Sequence, residues 1–88
     1  MPERTVLIVN KAGLHARPAA EIVKTAAKYT SDITVSRDEL EVNGKSIMGV
    51  MMLAAECGAT IQLKAEGPDA KEALDALEHL IGSKFGES

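Results

Sequence analysis

Aromatic side chains are almost missing from this chain of 88 residues: Tyr29 and Phe85 are the whole complement, and tryptophan is absent. A core must therefore be assembled from Val, Ile, Leu, Ala and Met. There is also no row of rings on which nucleobases could stack, and a net charge of −3 adds to the case against a nucleic-acid binder. The single cysteine, Cys57, cannot close an internal disulfide. His15, Cys57 and His79 stand at no metal-ligand spacing, so no zinc or other metal site is expected; the expectation for cofactors is likewise none. No apolar run approaches the ~20 residues that cross a bilayer. No charged start followed by an apolar stretch marks a leader. The expectation is a cytoplasmic protein without membrane insertion.

What is present suits one globular domain spanning residues 1–88. Hydrophobic residues make up 45% of the chain, too many for disorder, and a domain of this size buries roughly 60–65% of its unfolded surface. Four short stretches read as strands: Thr5–Val9, Asp32–Arg37, Glu39–Asn43 and Ala59–Glu66. The last alternates Ile61, Leu63 and Ala65 with Gln62, Lys64 and Glu66. A turn around Arg37–Glu39 joins the middle two. Between Pro18 and Lys28, Ala19, Ile22, Val23, Ala26 and Ala27 fall on one helical stripe. In Gly67–Gly82 the stripe is Ala70, Ala73, Leu74, Leu77 and Ile81, with Pro68 suited to the first turn, Asp69 and Glu72 to the positive end and Gly82 to the stop. A short helix covers Ile47–Leu53. The order β-α-β-β-α-β-α implies a two-layer α/β sandwich with helices on one face of a sheet that is antiparallel at least in part. Strand order stays open.

Chemistry concentrates at the entrance of the first helix. Pro18 belongs in a first turn and pushes Arg17 off ordinary helical geometry, so the helix begins at about His15–Arg17. The amides of Ala16 and Arg17 then lie at the positive helix end, where an anion meets backbone donors and a guanidinium together. The same field favours a neutral, nucleophilic His15 ring over the imidazolium. Two readings of His15 are open on these grounds: a polar N-cap, or an acceptor that takes up a phosphoryl group and gives it away. Ser46, just ahead of the short helix, reads as an N-cap. Of the apolar residues there, Val50 and Leu53 suit the core. Met48 and Met51 either pack inside as well or form a flexible thioether surface.

Two stretches, GLHARPA at 13–19 and NGKSIMGVMMLAAECG at 43–58, resemble the HPr family, the histidine-containing phosphocarriers of the bacterial phosphotransferase system. The likeness covers nearly the whole chain. It implies an open-faced β-sandwich, a four-stranded antiparallel sheet with three helices on one face. It implies that His15 accepts a phosphoryl group at Nδ1 from phosphorylated enzyme I and hands it to the A domains of sugar-specific transport components. Arg17 carries over as the phosphate-stabilising side chain and Ala16 as a backbone donor. Such a protein is a stoichiometric carrier, not an enzyme turning over a substrate alone.

Ser46 matches the serine that an ATP-dependent HPr serine kinase/phosphorylase modifies in regulated members, where a transcription regulator is a further partner. The family docks its partners through the start of the first helix and the short helix. Ala20, Lys24, Ile47, Met48 and Met51 are therefore contact candidates on a monomer. Lys11, Arg17, Lys24, Lys28 and Lys45 read either as a solvated charged face or as a patch that steers acidic partners. One position departs from the regulated members, which commonly carry Gly after the short helix's last Leu. Here Ala54 and Ala55 follow, which bears on the loop near His15. Two alternatives remain: the nitrogen-branch paralogue, disfavoured by KSIMGVM, and a regulatory binding module, disfavoured by His15 with Arg17 intact.

Overall fold

The computed structural model describes residues 2–86. The chain runs β1 (Glu3–Leu7), α1 (Ala16–Ala26), β2 (Asp32–Arg37), β3 (Leu40–Asn43), α2 (Ile47–Met52), β4 (Thr60–Glu66) and α3 (Ala70–Gly82), ending in a 3-10 turn at Lys84–Gly86. The sheet order is β1-β4-β2-β3, and every neighbouring pair is antiparallel. The open-faced sandwich of four strands and three helices is thus the observed architecture.

Register follows from alternation. Val6 faces Ile61, and Val35 lies between Leu63 and Val42. A slip of one residue would turn all of these to water. Val35, Leu63, Leu74, Leu77, Ile81, Ile22 and Val50 have no exposed surface, and the core lies between the sheet and the helices. Burying each large aliphatic side chain contributes about 1.5–3 kcal/mol. The other face of the sheet presents Thr5, Gln62, Glu66 and Asp32 to solvent.

Several local expectations shift. α1 ends at Ala26 rather than Lys28, because Lys28 and Tyr29 bond back to the Thr25 and Ala26 carbonyls in tightened turns. Ala27 is consequently exposed rather than on the buried stripe. β1 begins at Glu3 and stops at Leu7, since Ile8 leaves the ladder to bond with Ala59 and Gly58. Pro68 lies ahead of the N-cap of α3, not in its first turn. Asp69 occupies that N-cap but makes no cap bond. Its carboxylate accepts from the Thr30 amide at 2.9 Å, the Ser31 amide at 2.9 Å and the Ser31 hydroxyl, tying the α1–β2 turn to α3. Gly82 is the last helical residue. The reversal comes after it, at Lys84 (φ 61°) and Phe85 (φ 55°).

Candidate functional site

The segment between β1 and α1 positions His15. Asn10 is fully buried and donates its side-chain amide to the Gly13 carbonyl at 2.8 Å, while the Gly13 amide returns a bond to the Asn10 carbonyl at 3.2 Å. Gly13 has φ +70°, and a Cβ there would come within 2.5 Å of the Ala55 carbonyl oxygen. Glycine is required both by the dihedral and by the approach. Leu14 is buried and donates its amide to that same Ala55 carbonyl at 2.8 Å. The His15 amide then bonds to the Gly13 carbonyl at 3.0 Å.

His15 is the N-cap residue of α1, in extended geometry, and its carbonyl accepts the first helical bond from Ala19 at 3.0 Å. Its side chain makes no cap bond, and the residue is exposed. Capping is therefore not what the imidazole does here. The amides of Ala16 and Arg17 lie ahead of that first bond, and the first turn holds no acidic residue to offset the positive end of the helix dipole. Arg17 is exposed, and its guanidinium donates to the Phe85 carbonyl at 3.4 Å. The C-terminal turn at Lys84–Gly86 thus reaches the site. Its anchor is the Phe85 ring, only 3% exposed. The arrangement sets an exposed histidine beside the head of a helix and a guanidinium, and a phosphoryl dianion is favoured by such donors.

The second cluster begins at Ser46, whose Oγ accepts from the Gly49 amide at 3.1 Å and caps α2. Val50 and Leu53 are buried, as their positions predict. Ile47, Met48 and Met51 are exposed, and at 77% Met48 contributes nothing to the core. Met52, exposed to 64%, widens this apolar patch beyond the candidates read from sequence. α1 packs beside α2, and of its two contact candidates Ala20 is half-buried and Lys24 exposed. Of the basic residues, Lys45 donates to the Tyr29 carbonyl at 2.8 Å and so serves the fold. Lys11, Lys24 and Lys28 are exposed. His79 and Cys57 are surface residues. Among the described residues no three His, Cys, Asp or Glu side chains converge as a metal set, and no helix is long and apolar enough to cross a membrane. A surface concavity is lined by Asp32, Ile33, Thr34, Glu41, Val42, Asn43 and Lys45, none of them from the 13–17 segment.

The chain is similar to known proteins over nearly its whole length. The family model PTS-HPr, described as the PTS HPr component phosphorylation site, matches residues 2–83. The chain belongs to the HPr family. It is 52% identical to the phosphocarrier protein HPr of Treponema pallidum over 87 residues, covering 99% of both chains. It is 49% identical to that of Cupriavidus necator, covering 99% of this chain and 98% of the other. Among solved structures, HPr-C-His from Thermoanaerobacter tengcongensis superposes with a TM-score of 0.96 at 55% identity, covering 100% of this chain and 99% of the other. The intertwined dimer of Crh, a catabolite repression protein of Bacillus subtilis, matches at a TM-score of 0.77 and 42% identity, over 96% and 97% of the two chains. The relatives it matches are named phosphocarrier proteins. The signals that sequence reasoning passed over were Asn10, a lone amide-bearing residue straight after an apolar strand, and Phe85, one of two aromatics in the chain.

Proposed function

We propose that this protein carries a phosphoryl group on His15. The lone pair of Nδ1 attacks the phosphorus of phosphorylated enzyme I. The bond from phosphorus to the donor breaks, and the group then leaves in the same way to the A domain of a sugar-specific transport component. Arg17 and the Ala16 amide stabilise the phosphoryl oxygens. The protein works as a single domain and as a monomer, and it is consumed and regenerated stoichiometrically. The observation that carries this reading is the exposed His15 side chain at the head of α1, making no cap bond, with the guanidinium of Arg17 two residues on.

Ser46 is proposed as a regulatory phosphorylation site for an ATP-dependent kinase, with a transcription regulator as a reader of the modified form. Ile47, Met48 and Met51 of α2 together with Ala20 and Lys24 of α1 are proposed as the docking surface. Likeness to Crh supports a purely regulatory module as the rival reading. Incubation with enzyme I and phosphoenolpyruvate decides between them. Intact mass should rise by one phosphate in an acid-labile, alkali-stable linkage, and His15→Ala should take up none. A label persisting on that variant would remove His15 from the reaction.

A further inference from the structure

Arg37 at the end of β2 does something that strand position alone does not require. Its guanidinium donates to the Leu53 carbonyl at 3.3 Å and the Ala54 carbonyl at 2.9 Å, and pairs with the Glu56 carboxylate at 2.8 Å. All three partners lie in the segment that leaves α2. Within that segment Ala54 has φ +47°, a left-handed conformation that a residue with a Cβ adopts only at a cost. Ala55, between two of the clamped residues, accepts the Leu14 amide at 2.8 Å and meets Gly13 face to face. His15 follows directly. The Glu56 carboxyl is held below the usual carboxylate range by its own backbone amide and by Arg37, so it stays ionised as Arg37's partner at neutral pH.

We propose that Arg37 is a positioning residue for His15, acting through the 53–56 segment: it holds Ala54 in its left-handed turn so that the Ala55 carbonyl stays where Leu14 can bond to it. A glycine at 54 would take that conformation unaided. With alanine there, the guanidinium clamp supplies the constraint. The consequence is that the β2–β3 hairpin and the C-terminal end of α2 are mechanically joined to the phosphoryl site. This inference rests on the reading of His15 as phosphoryl acceptor, but it makes a prediction that survives without it.

The test uses Arg37→Ala, Glu56→Gln and the double variant Arg37→Ala with Ala54→Gly in the full chain. Arg37→Ala should speed hydrogen exchange at the Leu14 amide and shift the His15 ring resonances while leaving the melting transition cooperative. Transfer from enzyme I should lose roughly tenfold in kcat, because small displacements of a reacting group are costly, with KM for the carrier unchanged. Adding Ala54→Gly should restore at least half of the loss and part of the Leu14 protection. Glu56→Gln, at an exposed side chain, should move the same readouts less far, and it carries the test if Arg37→Ala does not fold. Wild-type Leu14 exchange and wild-type kcat in the folded variants would overturn the proposal, as would a defect confined to KM, which would make Arg37 a docking residue. If wild-type protein takes no phosphate on His15, the functional reading fails, yet the exchange and ring resonances still decide the positioning role.

Discussion

The Arg17 guanidinium donates across 3.4 Å to the main-chain carbonyl of Phe85, 68 residues further along the chain. A neutral carbonyl is a weak partner for a permanent cation. A phosphoryl dianion on His15 would be a stronger one. The bond ties Arg17, two residues along the chain from His15, to the C-terminal turn. Removing the side chain costs no core packing, because the residue is exposed. Arg17→Ala should fold like wild type but slow phosphoryl transfer by roughly ten- to a hundredfold, the equivalent of losing a charge-assisted contact of about 1.5–3 kcal/mol. Rapid-quench transfer from enzyme I measures this, and an unchanged rate would take Arg17 out of the mechanism.

The other partner makes a separate prediction. Phe85 is 3% exposed and sits in a turn with φ 55°. Phe85→Ala should lower stability by about 3 kcal/mol, the low end of the range for deleting a buried ring, since the exposed residues on either side, Lys84 and Gly86, leave the turn room to relax. Phe85→Leu should recover most of it. Urea unfolding at neutral pH gives both values. A loss near zero would mean that the C-terminal turn only decorates the fold.

Asp69 governs the acid limit. The Ser31 hydroxyl, and after it the Thr30 amide, lower its carboxyl from 3.8 to about 2. A depressed folded-state value means that the native state favours the ionised form. The stabilisation is complete above the unfolded-state value near 3.8 and is lost as pH falls toward 2. Thermal melts of wild type should therefore weaken over that window by more than those of Asp69→Asn, which has no carboxyl to protonate there. Parallel slopes would show that other carboxylates set the acid transition.

Why some of this was legible and some not follows from where the information sits. The buried stripe of α3 (Ala70, Ala73, Leu74, Leu77 and Ile81) is written in a single period and appears unchanged in the structure. The position of His15 at a helix head follows from Pro18, and the Ser46 cap from its place before an apolar run. These are local signals. The order β1-β4-β2-β3 is not local: it depends on which strands share a buried face. Asp69 reads as a helix cap because the cap position is adjacent in sequence, whereas its actual partners, Thr30 and Ser31, are distant in sequence. Arg37 and Phe85 reach the site in the same non-local way. The departure at Ala54 was visible as a residue type. That it takes φ +47° under a guanidinium clamp was not.

The patch beside Ser46 gives the last prediction. Ser46 Oγ already accepts the Gly49 amide at 3.1 Å, and a carboxylate can do the same at the positive end of α2. Ser46→Asp should therefore fold with a melting temperature near that of wild type. It adds a negative charge beside Ile47 and Met48, which are 43% and 77% exposed. Met48→Asp places a charge inside the proposed contact, where it must lose water on docking. Both variants keep His15 and its loop intact, so the defect should be a raised KM for the carrier with little change in kcat. The two should then separate with salt. Repulsion across solvent fades once the Debye length falls below about 8 Å, so the Ser46→Asp defect should shrink at high ionic strength while the desolvation penalty of Met48→Asp persists. Steady-state transfer kinetics at two salt concentrations test this. Wild-type KM values in both variants would move the docking surface elsewhere, and equal salt sensitivity would show that both act through long-range charge.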